Sequence, residues 1–131
     1  MSIIKKIESI IQEIGYDYVL DGNSIIVKSP AVSFQDENTC IQVFGGACPI
    51  TPDLVPDINR ANRYFEKRNA AFQYGKWKIY NGNSRVLVQI IPSTGFNSLS
   101  KDDAKELIYG FIIEFSNENK AVILDLMSGK I

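Results

Sequence analysis

The sequence predicts a single α+β domain over residues 1–131, with helices packed on one antiparallel sheet. Three observations lead there. Ile3, Ile4, Ile7, Ile10, Ile11 and Ile14 recur at helical spacings of three and four. The middle of the chain alternates apolar and polar residues in short runs separated by Gly, Asn and Pro. Helical spacing then returns from Ala104 to Phe115. Helices and strands therefore come in blocks, without the strict strand–helix alternation of a parallel nucleotide-binding sheet. A chain of 131 residues suits one core, and 45% hydrophobic against 22% charged residues is globular composition.

The first helix follows from Ser2 as N-cap, the isoleucine face just named, and Gly15 as the terminating glycine. Lys5, Lys6, Glu8, Ser9, Gln12 and Glu13 occupy its other side. "YDYVL" and "SIIVK" then form a hairpin across Gly22 and Asn23, and Pro30 is expected to end the second strand. "TCIQVF", residues 39–44, makes a third strand ending at Gly45 and Gly46. Pro49, Pro52 and Pro56 mark a crossover.

A second helix is predicted to bury Leu54, Ile58, Ala61 and Phe65 on one face, with Asp53 or Asp57 at its start and Lys67 and Arg68 at its end. After Asn69 the period changes: Phe72, Tyr74, Trp77 and Ile79 read as a strand with Gly75 at a bulge. "NGNS" turns the chain into "RVLVQII". The third helix starts at Ser100, with Asp103 completing a capping box, and buries Ala104, Leu107, Ile108, Phe111, Ile112 and Phe115. From Asn117 onward a helical continuation is the reading favoured over a new helix or a terminal strand. The expected order is helix, three antiparallel strands, helix, two-stranded hairpin, helix, with a five-stranded sheet covered on one side.

The chemistry is narrowed by what is missing. The chain has no histidine and two cysteines, which leaves no Ser-His-Asp or Cys-His arrangement and no His-based metal site. No glycine-rich stretch has the lysine and spacing of a phosphate loop. Paired carboxylates among Asp17, Asp21, Asp36, Glu37, Asp53 and Asp57 are the acid–base route left open, and their places at turns and helix starts give them structural work. The reading is therefore no enzyme, no catalytic residue, no cofactor and no metal. Cys40 and Cys48 are expected to be reduced and core-like, with a disulfide closing a turn as the alternative. No apolar run reaches membrane-spanning length, and the charged N-terminal helix has no signal-peptide core, so a cytoplasmic location away from membranes is expected.

Charge is unevenly spread. Residues 58–92 hold seven basic residues against Glu66, a net of +6, while the whole chain sums to −1. Arg60, Arg63, Lys67, Lys76 and Lys78, beside Tyr64, Tyr74 or Trp77, would bind single-stranded nucleic acid if they shared a surface. A solvated helix face explains the same residues. Asn59 and Asn62 are read as structural, tying the second helix to a neighbouring loop or sheet edge. Tyr109 and Ile113 lie off the buried stripe of the third helix and, with Val122 and Leu126 of the apolar tail, form a candidate protein interface; alternatively the tail folds back over them.

The segments "INRANRYF", "AAFQYGKWKIYNGNSRVLVQIIPSTG" and "LSKDDAKELIYGFIIEF" resemble the bacterial YbjN family and, more distantly, the type III secretion chaperone-like fold. The likeness lies in the asparagine-bearing second helix (Asn59, Asn62), the Ala71–Phe72 step before the hairpin, and the long Phe- and Ile-rich helix. It implies a curved antiparallel sheet, a homodimer, and a non-enzymatic chaperone-like or regulatory role. Its partner would be another protein, such as a segment of a secreted effector.

Overall fold

The computed structural model describes residues 2–131. Among them the order is α1 (Ile3–Ile14), β1 (Tyr18–Asp21), β2 (Ser24–Lys28), β3 (Ala31–Asp36), β4 (Cys40–Pro49), α2 (Ile58–Ala71), β5 (Lys76–Tyr80), β6 (Ser84–Pro92), α3 (Ser93–Asn97) and α4 (Lys101–Met127). The α+β class holds. The strand count does not: the strands form one six-stranded sheet, ordered β1-β2-β3-β4-β6-β5 and antiparallel throughout.

The extra strand is β3. Pro30 stands in a two-residue turn, so that Lys28 and Ala31 pair directly and "AVSFQD" runs back along β2. Proline at that position closes one strand and opens the next, where an end had been expected. β4 also outruns its expected end. Its register shifts between Gly45 and Cys48, and the bulged strand then continues beside Arg85 and Ser84.

The first helix is as the isoleucine spacing requires. Ser2 Oγ accepts from the Lys5 N–H at 3.2 Å, Gly15 ends the helix at φ +98°, and Ile3, Ile7, Ile10 and Ile11 are buried. The second helix starts at the later of its two expected caps, Asp57, whose Oδ1 accepts from the Arg60 N–H at 3.1 Å. Leu54 lies before it and is 53% exposed, while Val55 takes the buried place. Pro56 keeps Val55 out of helical geometry, so the turn at 52–54 does not run on into the helix and the predicted face is broken. Ala61 and Phe65 are its buried residues, and Ile58 is exposed.

Phe72 and Tyr74 precede β5 and are not part of it. Their rings join Phe111 and Phe115 of α4 in a closed set of contacts, with centroids 5.7–6.1 Å apart. The helical continuation past Asn117 is present: α4 runs unbroken from Lys101 to Met127, with Ser100 Oγ accepting from the Asp103 N–H at 3.1 Å. Of its predicted stripe only Leu107 is less than fully buried.

The core lies between the helices and one sheet face, which contributes Ile25, Val27, Val32, Phe34, Ile41, Val43, Leu87 and Trp77. The opposite face carries Val19, Ile26, Ser33, Phe44, Val86, Val88 and Ile90, all partly or fully exposed. No helix of the described residues is long and apolar enough to cross a membrane.

Candidate functional site

The four residues expected to form a protein interface do not share one patch. Tyr109, 48% exposed, lies where α4 meets α1, in a shallow cavity of about 460 Å³ lined by Glu13, Ile14 and Glu106. Leu126 is seventeen residues further along the helix, about 25 Å away, and half-buried against the core. Ile113 is half-buried, and Val122 is 0% exposed. Val122 is thus a core residue of its own chain and no surface residue. The exposed apolar side chains of that segment are Leu124 and Met127.

The basic set is also divided. Arg60, Arg63 and Lys67 follow one exposed stripe of α2 beside Lys130, around a cleft of about 230 Å³. Lys76 is taken up elsewhere: its Nζ donates to the carbonyls of Asn69 and Phe72 at 2.5 and 3.1 Å, closing the C-terminus of α2. Lys78 is exposed on β5, on the sheet face that carries no helix.

Of the remaining basic residues, Arg68 and Arg85 are both committed to the interior. Arg68 forms a two-point ion pair with Glu118, using Nε (3.2 Å to Oε2) and Nη2 (to Oε1), and the Trp77 indole N–H donates to Glu118 Oε2 at 2.9 Å. The hydrogen bond to Glu118 holds the Arg68 guanidinium pKa above its ordinary value. Glu118 is 7% exposed, so α2, β5 and α4 meet at one satisfied carboxylate.

Arg85, 5% exposed, donates from Nη2 to Asn62 Oδ1 at 2.7 Å and sits 5.5 Å from the Phe65 ring centroid. Burial pushes its pKa down, with the neighbouring Cys48 thiol acting the other way. The same burial raises the Cys48 thiol from 9.0 to about 11. Cys40 and Cys48 are both free and stand near opposite ends of β4, eight residues and about 26 Å apart. No disulfide can close between them within this strand.

Asn62 joins α2 to β6, an inner strand rather than a loop or sheet edge, whereas Asn59 is exposed. The stronger tie comes from Asn69, which the change of period had marked only as a boundary. Its Oδ1 accepts from the Trp77 N–H at 2.7 Å and its Nδ2 donates to the Trp77 carbonyl at 3.0 Å. Nothing in the spacing of Asn69 distinguishes it from an ordinary C-terminal asparagine.

Two carboxylates considered for acid–base work have capping or turn roles. Asp57 caps α2, and Asp36 Oδ1 accepts from the Asn38 N–H at 2.9 Å. Among the described residues no group of three or more Cys, Asp or Glu is placed to hold a metal ion.

The helix-free sheet face is the surface that the sequence did not single out. Two adjoining grooves, of about 350 and 480 Å³, share Phe44, Ala47 and Val86. One extends over Ile26 and Ser33 toward β2, the other over Gln35 and Tyr80 toward β5. Buried at the floor of the first, beside the bulge, is Asn119 Oδ1, which has no hydrogen-bond partner. Lys28 and Lys78 stand exposed on the same face. The missed signal was Phe44, Val88 and Ile90 at polar-side positions of strands.

No protein-family model and no curated protein sequence matches the chain. Solved structures do. YbjN from E. coli, provisionally assigned as a transcription regulator, superposes with a TM-score of 0.70 at 10% identity, over 95% of this chain and 94% of that one. The fold is YbjN-like. An uncharacterized protein from Methanothermobacter thermautotrophicus shares it, with a TM-score of 0.61 at 16% identity over 95% and 96% of the two chains. At such identities the likeness is one of backbone layout alone.

Proposed function

We propose that the chain is a non-enzymatic binding module that holds a segment of another protein on the helix-free face of its YbjN-like sheet. One observation carries this reading: Ile26, Phe44 and Val86 line grooves on a sheet face that no helix covers, and Val88 and Ile90 continue the apolar surface along β6 beside them. Lys28 and Lys78 flank it, so the matching occupant is an apolar segment bearing acidic residues. The unpartnered Asn119 Oδ1 would accept a hydrogen bond from a donor group entering the groove. In this reading the chain is a homodimer through the exposed flank of α4 at Tyr109 and Ile113, which leaves the sheet face open.

The test is site-specific photocrosslinking in the native cell, with the probe placed at Ile90 or, separately, at Tyr109. The expected result is an adduct at Ile90 to an acidic, apolar segment of a different protein, and a self-adduct at Tyr109. Self-adducts alone at Ile90 would make the sheet face a dimer interface and overturn the reading. A chain that stays monomeric in light scattering at high concentration would remove the dimer.

A further inference from the structure

The exposed stripe on α2 gathers basic side chains around one cleft. Arg60, Arg63 and Lys67 are spaced three and four residues apart, all exposed, and among the described residues none of them lies in an ion pair with a carboxylate. Like charges at this spacing repel one another and destabilise a helix unless an anion screens them. Lys130 lines the other side of the cleft of about 230 Å³, so four cations border one small volume.

Part of this arrangement is held in place before any ligand arrives. Arg60 Nη2 donates to the Gly129 carbonyl at 3.1 Å, which fixes its guanidinium against the turn after α4. Two acidic groups are near. Asp125 accepts from the Tyr64 hydroxyl at 2.5 Å and lies 3.9 Å from Lys130 Nζ, while Glu66, three residues from Arg63 and so its neighbour on the helix surface, forms no ion pair among the described residues and does not line the cleft. Burial and the Asp125 bond hold the Tyr64 hydroxyl above its ordinary pKa, so it stays a neutral donor.

We propose that this cleft binds a compact ligand carrying two or more phosphate groups. The volume is below the roughly 300–1,000 Å³ typical of drug-sized ligands, which suits a small polyanion. Tyr64 is the one ring in the lining; it is half-buried and spends its hydroxyl on Asp125, and a single half-buried ring is a poor platform for stacking successive bases. Guanidinium forks at Arg60 and Arg63 suit paired phosphate oxygens, and Lys67 and Lys130 add point charges.

The experiment is calorimetric titration of the full chain with tripolyphosphate at low and high salt. Binding is expected at low salt and should weaken as salt is added. The Arg63→Gln/Lys67→Gln double variant should lose about tenfold or more in affinity. Lys67→Arg should keep it. Both positions are exposed, and circular dichroism will show that the variants remain folded. Absence of binding at low salt, or equal binding by wild type and double variant, would overturn the assignment. Tighter binding of oligo-dT with the same number of phosphates would replace the compact ligand with a nucleic-acid backbone.

Discussion

At the scale of single residues, two glycines set how closely α4 can approach the sheet. A Cβ on Gly45 would overlap the Phe115 ring, and one on Gly75 would lie 2.9 Å from Phe115 Cζ and 2.8 Å from the Val88 carbonyl oxygen. Phe115 is therefore wedged between β4 and the loop before β5. Gly45→Ala should cost about 1–3 kcal/mol in chemical denaturation, because the ring has no free space to enter. Adding Phe115→Leu should recover part of that loss, which an unrelated strand defect would not. Cys48 gives a pH prediction. Between pH 9.0 and about 11 its thiol ionises in the unfolded chain and stays protonated in the native one. The native state then holds more protons, so its stability falls as pH rises through that window and is unaffected below it. Melting curves at pH 8 and 10.5 should show a larger drop for wild type than for Cys48→Ala.

At the scale of elements, much of the structure was readable and the exceptions have physical causes. The helix Ile3–Ile14 and the stripe of α4 were visible because helical period, caps and burial all agree there. β3 was hidden by Pro30, since proline ends strands and also makes the turns between them. The basic cluster was legible only in part for a different reason: a net charge of +6 over residues 58–92 does not say which basic residues face water. Arg68, Lys76 and Arg85 instead serve the joint between α2, β5, β6 and α4. A sequence contains the arginine but not the partner fifty residues away that buries it. Glu118 is that partner for Arg68, and Glu118→Ala should cost about 3 kcal/mol by leaving a guanidinium and an indole N–H unpaired. Glu118→Gln should cost less, because it still offers an acceptor to Trp77; denaturant midpoints of the two variants will show the difference.

At the scale of the whole molecule, the sheet has two faces with opposite duties. Neighbouring positions on β6 test this directly. Leu87 is buried under the helices, and Val88 faces the open side. Leu87→Ala should lose about 2–5 kcal/mol, while Val88→Ser should stay within about 1 kcal/mol of wild type. A similar loss at both would mean that the outer face is covered in the native state. This division was only half legible: alternation identified strands, but apolar residues at Val88 and Ile90 blur the polar side that would mark solvent. The candidate site lay in that blur. It needed the strand order, which brings Phe44 of β4 beside Val88 of β6, to become visible as one surface.

The clasp of Asn69 on Trp77 bears on how the molecule avoids its own copies. β5 ends the sheet, and the Trp77 N–H and carbonyl taken by Asn69 point away from β6, toward where a seventh strand would dock. The amide satisfies both groups, as an incoming strand would. The short outer ladder thus presents no unbroken template for edge-to-edge pairing at the β5 side of the sheet.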